Sequence, residues 1–126
     1  MNKPSKQDQN LKSVHLLVEF WGCKSSVLND HDFLVTSLDK AAKESNATVL
    51  SIASHKFTPQ GVTAILLLSE SHLSIHTWPE YQYAAIDVFT CGEKMLPHKT
   101  VEVLEEMLQP EISDVQEIIR GMKKLP

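Results

Sequence analysis

The sequence predicts an α+β two-layer sandwich, with an antiparallel sheet backed by helices. Three observations point there. The order of elements is strand, helix, several short-linked strands, helix, strand. Short links favour antiparallel pairing, because parallel neighbours need long crossovers. The 126 residues, 42% of them apolar, suit one domain with a core of its own.

Val14 to Phe20 alternates loosely and is rich in apolar residues, so it is the first strand. Trp21-Gly22-Cys23 ends it. Asn29, with Asp32 three residues on, marks a helix start, because both side chains accept from free backbone donors. Phe33, Leu34, Leu38, Ala41 and Ala42 then share one helical face, and Asn46 is the stop. Thr48 to His55 is the second strand, and Pro59-Gln60-Gly61 is a turn. Val62 to Leu68 is an unbroken apolar run, as in a central strand. After a break at Glu70-Ser71, His72, Ser74 and His76 alternate with Leu73, Ile75 and Thr77, until Pro79 closes that strand. Tyr83 to Phe89 is a further strand. Thr100 to Leu108 carries Val101, Leu104, Met107 and Leu108 at helical spacing, and Pro110 stops it. Ile112 to Ile119 fits either strand or helix, with strand preferred.

Composition narrows the function. The net charge is −4, and no basic stripe is present, which disfavours nucleic acid as a partner. The longest apolar run, Ala64 to Leu68, is far too short to span a bilayer, so no membrane association is expected. Residues 1–12 are polar and lack an apolar signal core; they are expected to be a disordered tail on a domain of residues 13–126. The expected compartment is the cytoplasm. There Cys23 and Cys91, which form no C-x-x-C pair, would be free thiols.

The chemistry concentrates in Glu70-Ser71-His72-Leu73-Ser74-Ile75-His76-Thr77-Trp78-Pro79-Glu80 and, after Gln82, in Tyr83-Ala84-Ala85-Ile86-Asp87-Val88-Phe89-Thr90-Cys91-Gly92. Hydroxyl, imidazole, carboxylate and thiol all lie in this span, the parts needed for covalent chemistry on a small amine or carbonyl compound. Taken singly they are unremarkable. Ser71 would be a loop serine, His76 a hydrogen-bonded structural histidine, Cys91 a small hydrophobe, Glu80 a surface carboxylate and Phe57 plain core.

Together, these two strings closely resemble the short prokaryotic S-adenosylmethionine decarboxylase proenzymes, from about Val14 to about Leu108. The family's fold, an antiparallel sheet backed by helices, agrees with the element order. The resemblance implies self-cleavage between Glu70 and Ser71. The Ser71 hydroxyl attacks the Glu70 carbonyl carbon, the Ser71 nitrogen leaves, and amide becomes ester. A held, distorted turn with donors for the oxyanion makes this accessible. β-Elimination leaves dehydroalanine, which hydrolyses to a pyruvoyl group with loss of ammonia. The products would be residues 1–70 and a pyruvoyl-blocked 71–126. The pyruvoyl carbonyl would then form a Schiff base with the substrate α-amine and act as electron sink, the role pyridoxal phosphate plays elsewhere. Neither a metal nor pyridoxal phosphate is expected.

By the same resemblance, His76 is the proton acceptor in self-processing and Cys91 the proton donor to the substrate α-carbon. Glu80 matches the acid that binds the ribose hydroxyls, and Phe57 the aromatic residue that stacks on adenine. Cys23 matches no catalytic position and is expected to pack. One departure stands out: the family commonly has Gly-Val-Ser-Gly where this chain has Gly61-Val62-Thr63-Ala64. Thr63 keeps the processing hydroxyl but restricts its rotation. Ala64 in place of glycine implies no positive φ there. The implied activity is decarboxylation of S-adenosylmethionine, whose product feeds spermidine synthesis, by a cleaved homodimer. Two alternatives remain open: a paralogue using the same machinery on arginine or ornithine, and a non-processing regulatory partner.

Overall fold

The computed structural model describes residues 11–69 and 71–123. Most of the expected N-terminal tail, residues 1–10, lies outside the described residues, and so does the cleavage-site residue Glu70. The elements are β1 (Ser13–Trp21), α1 (Ser25–Leu28), α2 (His31–Glu44), β2 (Val49–Lys56), β3 (Val62–Leu68), β4 (Ser71–Trp78), a 3-10 turn (Pro79–Tyr81), β5 (Tyr83–Cys91), α3 (Pro97–Leu108) and β6 (Ile112–Arg120). The six strands form one sheet in the order β2-β3-β4-β5-β1-β6, and every neighbouring pair is antiparallel. The architecture is α+β, as the element order predicts, and Ile112–Arg120 is a strand.

α2 starts one residue later than Asn29 suggests. Asp30 is its N-cap, accepting from the Phe33 amide at 3.1 Å. The Asn29 side chain is committed elsewhere, to the Gly61 amide. Asp32 sits in the first turn and Lys43 in the last, each suited to the helix dipole. Asn46 does end the helix, in the left-handed region at φ 66. The amides of Asn46 and Ala47 then reach back to Lys43 and Ala42. Asp30→Ala is expected to cost about 1 kcal/mol, seen as a lower urea midpoint. α1 was not expected at all, and α3 opens at Pro97 rather than Thr100, with proline in its first turn.

Both long helices lie on one face of the sheet. There Leu16, Val18 and Phe20 of β1, Leu66 of β3, Leu73 and Ile75 of β4, and Ile86 and Val88 of β5 are buried with Leu34, Leu38, Leu104 and Leu108. Ala64 is fully buried in β3 and has no positive φ. A buried polar pair joins the helices: Thr100 Oγ1 donates to Ser45 Oγ at 2.7 Å, and Ser45 Oγ donates to the Ala41 carbonyl.

Among the described residues, nothing covers the second face of the sheet. It displays His15, Leu17, Glu19 and Trp21 of β1, His72, His76 and Trp78 of β4, and Tyr83, Asp87 and Phe89 of β5. Trp21, Tyr83 and Trp78 stack across three neighbouring strands, with ring centroids 4.3 and 5.2 Å apart. The two tryptophans remain 44% and 41% exposed, an unusual outlay of aromatic surface on a face left to water.

Candidate active site

β4 and β5 lie side by side, and Ser71 opens one where Cys91 closes the other. Both line a cleft of about 890 Å³ together with Thr48, Ser69, Gly92 and Met95. Ser71 is the first residue of its strand and borders the cleft. Its hydroxyl is weakly held. Among the described residues its acceptors are the Ser69 carbonyl at 3.5 Å and the Met95 thioether at 3.8 Å, both at the long limit of hydrogen bonding. It is therefore free to turn toward a carbonyl carbon.

The two cysteines differ sharply. Cys23 is fully buried, and burial pushes its thiol up to about 11. It packs in the core, as expected. Cys91 is half-buried and faces the cleft.

His76 is not beside Ser71. Five residues of extended strand separate them, about 17 Å at roughly 3.3 Å each. An odd spacing also puts them on opposite faces of the sheet. His76 instead pairs across β3–β4 with Thr63, Nδ1 to Oγ1 at 3.0 Å. The threonine thus makes the hydroxyl–imidazole contact of which a serine is capable. Glu80, in the 3-10 turn, is exposed at this same distant end of the sheet. So is Phe57, 48% exposed beyond β2 and edge-on to the His55 ring at 4.6 Å. The sequence-derived residues therefore form two sets: Ser71 and Cys91 at one end, Thr63, His76, Phe57 and Glu80 at the other.

The structure adds neighbours that the sequence reading missed. Met95 approaches the Ser71 hydroxyl with its sulfur, and its only signal in the sequence is the apolar pair Met95-Leu96 after the stretch Gly92 to Lys94. On the uncovered face beside Ser71, His72 meets His15, Phe89, Asp87 and Arg120. His15 Nε2 lies 3.2 Å from Asp87, and the Arg120 guanidinium sits 5.1 Å over the Phe89 ring. Burial, then the His15 charge, holds the His72 imidazole below its ordinary value, and Asp87 only partly opposes this. The Tyr83 hydroxyl donates to Glu19; burial first, then that carboxylate, pushes it up to about 12.

Fold and site together define an α+β protein with one antiparallel sheet, helices on one face, and a serine–cysteine cleft at the margin of two central strands. A family model described as S-adenosylmethionine decarboxylase matches residues 14–121. The chain belongs to this family. It is 49% identical over 108 residues to the S-adenosylmethionine decarboxylase proenzyme of Methanococcus maripaludis strain C5, covering 86% of this chain and 88% of the relative. The proenzyme of the same name from Acetivibrio thermocellus is 43% identical, with 93% and 94% covered. The crystal structure of the adenosylmethionine decarboxylase from Aquifex aeolicus VF5 superposes with a TM-score of 0.83 at 31% identity, covering 89% of this chain and 92% of that one.

Proposed function

We propose that this chain is a self-processing, pyruvoyl-dependent decarboxylase of S-adenosylmethionine, supplying the decarboxylated product for spermidine synthesis. The observation that carries the reading is the cleft shared by Ser71 and Cys91 on adjacent strand margins. The residues there fit a pyruvoyl group made from Ser71. Among the described residues the hydroxyl has no strong acceptor to surrender, and a half-buried thiol faces the same space. A pyruvoyl group supplies the sink for the electrons released as carbon dioxide leaves. The chain's own residues do the rest. The Ser71 hydroxyl attacks the Glu70 carbonyl carbon as the Ser71 nitrogen leaves it, and that nitrogen departs later as ammonia. Cys91 holds a proton over the cleft for the substrate α-carbon, and Met95 lines the same cleft beside Ser71. A free Cys91 thiol is also why the reading includes a cytoplasmic setting.

The choice of S-adenosylmethionine over arginine or ornithine is supported by the names of the relatives and by Phe57 and Glu80. The flat exposed ring suits a base, and the carboxylate suits a vicinal diol. A non-processing regulatory role is disfavoured because Ser71, His76 and Cys91 are all present.

The reading also requires two copies of the chain. Thr63 and His76 lie about 17 Å from Ser71 on the opposite face, so one chain cannot bring them together. A second copy docked on the uncovered face, where His76 is displayed, is the arrangement the reading needs. It would also cover the aromatic ladder of Trp21, Tyr83 and Trp78.

Release of labelled carbon dioxide from carboxyl-labelled S-adenosylmethionine tests the function. Cys91→Ala is expected to cleave itself normally yet decarboxylate at least about 100-fold more slowly. Normal turnover would remove Cys91 from proton donation. Release from arginine or ornithine alone would move the chain to the paralogue class.

A further inference from the structure

The two turns that carry Phe57 and Glu80 come from distant parts of the sequence, yet both are tied to one short segment. The Gly22 and Cys23 amides donate to the Gln82 carbonyl at 2.9 and 3.2 Å. Ser25 Oγ donates to the Pro79 carbonyl at 2.7 Å. Asn29 Oδ1 accepts from the Gly61 amide at 2.9 Å. Gly61, at φ 104, in turn offers its carbonyl to the Phe57 amide at 2.8 Å, closing the turn that presents Phe57. Between the two turns stands the buried Thr77 hydroxyl. It accepts from the Val62 amide at 2.9 Å and donates to the Leu28 carbonyl at 2.8 Å.

α1 is held by these bonds and by its fully buried Leu28. It has four residues, one turn, and no side-chain cap at its N-terminus. An isolated turn of helix does not persist in water. Its serine and the asparagine after it are the types that would ordinarily cap or turn the local backbone. Here both reach outward, one to each substrate turn.

We propose that the segment from Gly22 to Asn29 is a brace that sets the spacing of Phe57 and Glu80, with Ser25 and Asn29 as positioning residues for the adenosine end of the substrate. The inference rests on the reading of Phe57 and Glu80 as substrate contacts. Ser25 and Asn29 touch neither the ring nor the carboxylate. They fix the backbones from which these project, so their removal loosens nucleoside binding and leaves the reacting end alone.

The test uses the full, self-cleaved protein. Binding of 5′-methylthioadenosine is measured by calorimetry, and KM and kcat with S-adenosylmethionine. Capture by phenylhydrazine reports the reactive carbonyl without any nucleoside. Asn29→Ala is expected to raise KM and weaken the probe about fivefold, and Ser25→Ala with Asn29→Ala about tenfold or more. Phenylhydrazine capture and kcat stay within about twofold, and Asn29→Asp, which keeps the acceptor oxygen, restores binding. If Phe57→Ala weakens the probe while the Ser25 and Asn29 variants do not, the brace is wrong and the substrate reading stands. If Phe57→Ala and Glu80→Ala leave the probe unchanged, the substrate reading fails and takes the brace with it. A parallel fall in phenylhydrazine capture would mean general loosening and would also overturn the proposal.

Discussion

Ser71→Ala leaves a single uncleaved chain near 14.2 kDa and no measurable decarboxylation. The methyl side chain cannot attack the preceding carbonyl, so neither the break nor the carbonyl sink forms. The expected loss is at least about 10³-fold, because the residue supplies the reacting group itself and not one contribution among several. The variant should still fold. Among the described residues the Ser71 hydroxyl gives up two long contacts, to the Ser69 carbonyl and the Met95 sulfur, and holds no strand together. Mass spectrometry of the denatured proteins is decisive. Wild type should give two pieces meeting at residues 70 and 71, the second lighter by one ammonia than a serine-started peptide. Cleavage of the alanine variant at the same bond would sink the mechanism.

Mixing two inactive variants should restore activity. His76→Ala and Ser71→Ala each fail alone, since one lacks the processing imidazole and the other the nucleophile. Co-expressed, half of the dimers are mixed at random assortment. In each mixed dimer one site draws Ser71 from the first chain and His76 from the second. About a quarter of wild-type activity is therefore expected, from one competent site in every second dimer. The physical basis is the odd spacing along β4, which puts His76 about 17 Å from Ser71 and on the other face. No rotamer of a single chain closes that gap. Absence of any restored cleavage in a verified mixed dimer would return His76 to a structural role beside Thr63.

Most of the strands were legible because apolar alternation survives wherever one face is buried. β1, β4 and β5 carry that pattern and β3 an unbroken apolar run, and their expected bounds differ from the observed ones by at most two residues. β6 was harder, since it lies at the sheet edge with all nine residues exposed and little periodicity for burial to impose. Asn29 misled because asparagine serves a cap and a long-range acceptor equally well, and only the fold says which amide is near. α1 left no trace: one turn is too short for a period to show. The division of the site was readable from spacing: five residues of strand put 71 and 76 at opposite ends, and their odd separation puts them on opposite faces. The motif's compactness along the chain concealed it. Met95 and Thr77 could be found only once the strands were placed.

The strand order decides what happens to the fold after the chain is cut. Residues before the break contribute β1, β2 and β3; those after it contribute β4, β5 and β6. In space these do not separate into two halves. β1 is threaded between β5 and β6, and β3 is zipped to β4. The two pieces would share three hydrogen-bonded ladders and one core, and neither could leave without unravelling the other. Scission here would resemble cutting a thread already woven into cloth: continuity is lost, the fabric stays, and a fresh end is left at the mouth of the cleft.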